Sequence, residues 1–328
     1  MDFGLPSGPG LWSNVKEIVS SIRDGLTPRN PYADDPLITL AHLMGRGSNS
    51  PQAKAMLSTL RGRAPDPQFR LAEIAGLMNN ADVHASVDDF LRDHPSIRPE
   101  IKIAIAAALF EKLYAQHEET KVWVRSSDLL SDRLHLRPTG ETTNWCKKFV
   151  GACRPFLRGV DSPAKLTIIN FNYDRLLETI LRHYWDMAET TYPPFESCFE
   201  FLYPYGAFSD LPTTIVAPAP WICQQADAIG LADGFNTDAS DILKARLSAS
   251  QNIFCVGFSC AKANEQLLGL NAHHAWKIFY QNFNAVDIRL DRVMKRLGVR
   301  TDRRDTANMA TLVTNGFFEQ DAATLPKD

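Results

Sequence analysis

A chain of 328 residues with 45% hydrophobic content can bury a large core, as one domain or as two smaller ones. Its formal net charge of −3 removes any general electrostatic drive toward nucleic acid or an anionic membrane. Its six cysteines include no Cys-x-x-Cys spacing, which excludes a zinc ribbon and a redox dithiol.

In chain order, the turn-rich Phe3-Gly-Leu-Pro-Ser-Gly-Pro-Gly10 runs into a predicted helix over about Leu11 to Ile22. A Pro/Asp/Asn-rich connector follows from Thr27 to Pro36, and from Leu37 to about Ile101 the pattern is helical with interruptions. Pro99-Glu100 starts the longest predicted helix, which runs to about His117, since proline is tolerated in a first helical turn. Within it, Ile101 to Phe110 is too short and too Ala-rich to span a bilayer. A further helix is predicted over about Thr142 to Leu157.

The most informative run is Thr167-Ile-Ile-Asn-Phe-Asn-Tyr-Asp174. A β-branched segment breaks into Asn170, Asn172 and Asp174, and Leu176, Leu177, Ile180 and Leu181 then recur at helical spacing. This predicts a buried strand, a polar turn at its carboxyl end and an amphipathic helix. Ligands bind at such strand ends in open α/β sheets, because backbone N–H groups and helix N-termini converge there. The competing explanation is an ordinary βα turn in which Asn and Asp cap the helix.

Phe199 to Tyr203 alternates weakly as a strand leading into Pro204-Tyr-Gly206, and Thr213 to Val216 reads as another short strand. Asp238 to Ser250 is predicted helical. Asn252-Ile-Phe-Cys-Val-Gly-Phe258 is the second buried strand, ending in a polar turn over Ser259 to Asn264. Strands alternating with helices predict an α/β fold with a doubly wound parallel sheet. The adjacent His273 and His274 point to different faces of a helix and make a poor metal site, so no metal is expected. Met1 to Pro6 does not read as a secretory signal, and the expectation is a cytoplasmic protein without membrane attachment.

Several of these segments, in order, resemble the sirtuin-like NAD-binding family in its prokaryotic branch. Asn170-Phe-Asn-Tyr-Asp174 with Leu176-Leu-Glu178 looks like the family's Asn-(Tyr/Ile)-Asp turn. Val256-Gly-Phe-Ser259 with Asn264 resembles its later Gly-aromatic/Ser strand end. Phe3-Gly-Leu-Pro-Ser-Gly8 is similar to the segment after its Gly-Ala-Gly phosphate loop, and Ser86-Val-Asp-Asp-Phe-Leu91 to a stretch of its helical insertion.

The resemblance implies a single Rossmann-like α/β domain, with a mainly helical insertion over about residues 30–140 and a strand/helix core over about 141–328. It implies NAD as substrate or ligand, and an NAD glycohydrolase of the antiphage-defence type. Asn172, Asp174 and Tyr203 would be the catalytic residues. Gly4, Pro6, Ser7, Asn170, Tyr173, Tyr205, Gly206, Gly257, Phe258, Ser259 and Asn264 would hold the nucleotide. The two strand tips would line one dinucleotide-sized cleft. Partners implied are NAD or an ADP-ribose-like nucleotide, with a homo-oligomer or a defence-system protein as the protein partner.

The chain departs from the family in three respects. The family's opening strand and Gly-Ala-Gly loop have no counterpart ahead of Phe3, so the expectation is a chain truncated at its amino end or begun at a late start codon. The family's catalytic histidine, which precedes a glycine, is replaced by Tyr203 or Tyr205, and a phenol with a pKa near ~10 is a poor general base. The zinc module of the deacetylating members is missing. The alternative expectation is therefore a catalytically degenerate nucleotide sensor or interaction module.

Overall fold

The computed structural model describes residues 13, 15, 87–116, 122–125, 145–157, 165–187, 192–209, 211–216, 218–230, 237–256, 262–281, 288–307 and 309–319. The elements begin with helices α1 (Val87–Asp93) and α2 (Arg98–Leu113), strands β1 (Tyr114–Gln116) and β2 (Trp123–Arg125), and helix α3 (Trp145–Leu157). Then come β3 (Leu166–Ile169), α4 (Leu176–Asp186), α5 (Phe195–Cys198), β4 (Phe199–Leu202), β5 (Thr214–Ile215), α6 (Pro218–Ala228) and α7 (Thr237–Ala249). The last are β6 (Ile253–Cys255), α8 (Lys262–Leu268), β7 (Ile278–Gln281), α9 (Ile288–Leu297), β8 (Arg304–Asp305) and α10 (Met309–Thr314). The chain divides into two compact units. One comprises Met1–Leu129, Tyr173–Arg175 and Gly206–Leu231, the other Leu130–Asn172, Leu176–Tyr205 and Ala232–Asp328.

In the first unit α2 is buried on every side from Ile103 to Phe110. A helix apolar all round has no solvent face to offer, and its four alanines at 104 and 106–108 let α6 pack closely against it. The helix ends at Leu113, earlier than the predicted His117, because Tyr114 adopts an extended conformation (φ −129°, ψ 141°). Tyr114 pairs with Arg125 in an antiparallel ladder ordered β1-β2-β5. Its hydroxyl donates to the Pro212 carbonyl at 3.0 Å, and its ring stacks on Phe110 at 5.1 Å. Cross-strand pairing and this aromatic contact outweigh the helical preference of the last turn.

The second unit holds the alternating strands and helices. β3 pairs with β4 in parallel, from Leu166 opposite Phe199 to Ile169 opposite Leu202. β6, β7 and β8 form a separate parallel ladder with Ile253 opposite Ile278 and Tyr280 opposite Arg304. The two-residue period of a strand sorts side chains to two faces. Ile253, Cys255, Ile278 and Tyr280 meet Leu290, Val293, Met294 and Leu297 of α9, whereas Phe254 and Phe279 meet Leu312 and Phe317. The fold is mixed α/β with small parallel sheets. The one continuous sheet expected from sequence is not formed by backbone pairing: among the described residues no ladder joins β3 to β6.

A buried lysine fastens this unit. Lys277 is 5% exposed, and its ammonium donates to the carbonyls of Leu247 (2.7 Å), Ser248 (3.1 Å) and Ser250 (2.9 Å). These are carbonyls at the end of α7, where helix geometry leaves acceptors unsatisfied and the dipole favours a cation.

Candidate functional site

The turn after β3 is built by its own asparagines. The Asn170 N–H donates to the Leu202 carbonyl at 2.9 Å, carrying the β3–β4 ladder one residue past the strand. The Asn170 side-chain oxygen then accepts the Asn172 N–H at 3.1 Å, the Asx-turn geometry that asparagine favours. Asn170 is buried, and its amide nitrogen has no hydrogen-bond partner among the described residues.

Tyr205 joins this turn to the segment after β6. Its hydroxyl donates to the side-chain oxygen of Asn264 on α8, and its ring meets Phe171 edge-on at 5.7 Å. Ile169 and Phe171 pack against the core cluster that contains Ile253 and Cys255. The side-by-side strand tips expected from sequence are thus replaced by side-chain contacts. Within the second unit the sequence-selected Asn170, Asn172, Tyr205 and Asn264 are linked through Phe171 and the β3–β4 pair.

Tyr203, level with Asn170 across the β3–β4 ladder, has partners of its own. Its hydroxyl donates to the buried Glu178 carboxylate at 2.9 Å, and its ring stacks on Phe201. Arg182 stands 3.5 Å from the other Glu178 oxygen, ion-pairs with Glu196 and lies over the Phe195 ring. The hydrogen bond from Arg182 holds the Glu196 carboxyl below its ordinary range. Glu178 belongs to the motif quoted from sequence but carries no role there. Its i,i+4 spacing to Arg182 is a local signal, whereas its partner Tyr203 lies 25 residues away and leaves none.

Tyr173, Asp174 and Gly206 belong to the first unit. Tyr173 and Asp174 are buried, and the Tyr173 carbonyl accepts the Phe208 N–H at 2.7 Å. Gly206 has φ 71°, and a Cβ there would stand 2.0 Å from the Ala228 carbonyl oxygen, so only glycine fits. Gly4, Pro6, Ser7, Gly257, Phe258 and Ser259 lie outside the described residues.

Among the described residues no three His, Cys, Asp or Glu side chains stand close enough to hold a metal ion, and no helix is long and apolar enough to cross a membrane. Cys146, Cys153, Cys198 and Cys255 are free thiols. Burial pushes the Cys153 thiol up to about 12, which keeps it protonated and inert as a nucleophile.

The arrangement offers neutral carboxamides and phenols at two strand ends, with one buried carboxylate behind Tyr203. Such groups orient hydroxyls and amides and stabilise developing charge through fixed dipoles. Comparison with protein-family models, with curated proteins and with solved structures returns no match.

Proposed function

We propose that this chain is a sirtuin-like, Rossmann-type NAD-binding protein that hydrolyses the bond between nicotinamide and ribose. The observation that carries the reading is Tyr205, which touches Phe171 beside Asn172 and hydrogen-bonds Asn264. Two motif segments far apart in sequence thereby meet the same tyrosine, as one nucleotide site requires. Glycosidic cleavage of NAD passes through an oxocarbenium-like state. Asn172 would orient water or the nicotinamide ribose, and Asn264 the adenosine end. Oriented dipoles and exclusion of bulk water supply most of the stabilisation for such a reaction. The biological setting proposed is NAD depletion in antiphage defence.

The test is incubation of the purified chain with NAD and chromatography of released nicotinamide, with calorimetric titration alongside. Nicotinamide release that vanishes in Asn172→Ala supports the reading. Release that survives Asn172→Ala removes the assigned role.

A second reading is a nucleotide sensor that binds without turnover. It is favoured by the tyrosine, Tyr203 or Tyr205, that stands where the resembled family carries its histidine, and by the Tyr205 hydroxyl, which already donates to Asn264. Heat on titration with NAD or ADP-ribose, with no nicotinamide release, selects this reading.

A further inference from the structure

Tyr203 is the first residue after β4 and stands level with Asn170 across the parallel ladder, since Ile169 is opposite Leu202. Its ring is held by Phe201 at 6.1 Å, with an interplanar angle of 18°, and Tyr203 is half-buried. Behind it, Glu178 is 7% exposed and accepts the phenol's hydrogen bond at 2.9 Å. Withdrawing a carboxylate from water is costly, and a leucine facing a phenylalanine at these two positions would fill the same space at less cost. The pair therefore has a chemical reading beyond packing. A phenol alone is a poor base near neutrality, but a phenol hydrogen-bonded to a carboxylate can take one proton while giving up another.

We infer that Tyr203 and Glu178 form a proton relay that activates the water consumed in NAD hydrolysis, an inference that rests on the NAD-hydrolase reading. The water oxygen bonds to the anomeric carbon of the nicotinamide ribose. The carbon–nitrogen bond breaks, and its electron pair stays on the nicotinamide nitrogen, which leaves uncharged. The proton from water passes to the Tyr203 oxygen as the phenol's own proton passes to Glu178 and from there to solvent. Nothing is oxidised or reduced. Tyr203 touches the reacting water, and Glu178 is the positioning residue that acts through it. Beside Glu178 stands Arg182 on its own helix, which is bound in turn to Glu196 on α5. Arg182 stands 3.5 Å from the Glu178 oxygen that the phenol leaves open.

The test is nicotinamide release by the full chain from pH 5 to 9, with NAD titration calorimetry on the same preparations. Glu178→Gln keeps an acceptor for the phenol but removes the base. It should lower kcat by about a hundredfold across that pH range, within the usual range for general acid–base catalysis. NAD affinity should stay within about threefold. Tyr203→Phe, which leaves the stacked ring in place, should match it, and the double variant should fall no further because the two act as one unit. A wild-type kcat in Glu178→Gln or in Tyr203→Phe overturns the relay, and NAD binding by the wild type without turnover defeats the hydrolase reading and the relay with it. Absence of NAD binding by the wild type defeats the underlying reading and the relay with it.

Discussion

The hydroxyl of Tyr205 donates to the side-chain oxygen of Asn264, so a residue three positions past β4 and a residue in the first turn of α8 are held together. Tyr205 is buried, and its ring also meets Phe171 edge-on. The hydrogen bond fixes the amide orientation of Asn264, while the ring contact fixes the turn that carries Asn172. Position and polarity at the candidate site are therefore set by one side chain.

That relationship predicts energetic coupling. Tyr205→Phe keeps the ring contact and deletes only the hydroxyl, taking that donor from the half-buried Asn264 oxygen. The expected loss is about 1 kcal/mol in urea unfolding, the usual net worth of such a bond. Asn264→Ala should cost a similar amount, and the double variant should cost less than the sum by about 1 kcal/mol. Strict additivity would show that the two groups do not interact.

Gly206 follows directly in sequence and makes a sharper prediction. Its positive φ is disfavoured for any side chain with a Cβ, and the Ala228 carbonyl oxygen lies 2.0 Å from where that atom would sit. Both partners are backbone, so no rotamer change relieves the clash. Gly206→Ala should destabilise the protein by about 3 kcal/mol or more, a value in the range reserved for strained backbone sites. A melting temperature equal to wild type would contradict the geometry.

How far the sequence foretold this arrangement depends on the range of the signal. The strand–turn–helix from Leu166 to Asp186 was legible because its signals are local, β-branched residues, an Asn cluster and a helical apolar stripe, although the strand expected to be buried is half-buried along Leu166–Ile169. The helix over Thr237–Ala249 and the strand at Ile253–Cys255 were legible on the same grounds. Of the antiparallel β1-β2-β5 ladder only β5 was legible, within Thr213 to Val216, because Tyr114–Gln116 continues a helical pattern and turns extended only through pairing with residues 123–125. The division of β3 and β6 between two ladders was not legible, since pairing partners are chosen by tertiary packing. At the site, Asn170, Asn172 and Asn264 stood out as polar residues at strand ends. Glu178 did not, because a glutamate in a first helical turn is ordinary until Tyr203 is found beside it.

Glu200 gives the protein a defined acid sensitivity. Burial pushes its carboxyl up, but hydrogen bonds from Thr167 (2.7 Å) and Arg246 (2.8 Å) outweigh this and hold it below its ordinary value of 4.5. A carboxyl with a lowered folded pKa adds stability above its unfolded value and loses it as pH falls through the folded value. The urea midpoint should therefore drop as pH is lowered from about 5 to 3. Arg246→Met should flatten part of that slope and leave stability at pH 7 lower by under about 1 kcal/mol, because the Arg246 side chain is half exposed and screened. An unchanged slope in Arg246→Met would remove Glu200 from the acid response.

Lys277 ties the end of α7 to the segment entering β7. Its ammonium satisfies three carbonyls at the end of α7, over separations of 27 to 30 residues. Burial lowers its pKa, yet the donors it supplies to three acceptors need the protonated form for full satisfaction. Lys277→Met preserves length and apolar volume but takes the ammonium from the Ser248 and Ser250 carbonyls, while the Leu247 carbonyl keeps the Ser250 hydroxyl at 2.8 Å. Each buried acceptor left unsatisfied costs about 1–3 kcal/mol, and partial relaxation of the helix end brings the expected total to about 2–4 kcal/mol. Hydrogen exchange should localise the loss: amides in the last turn of α7 and in β7 should lose protection, while those of α2 in the other unit should change little. Uniform loss of protection across both units would show instead that Lys277 supports the whole molecule and not the α7 end alone.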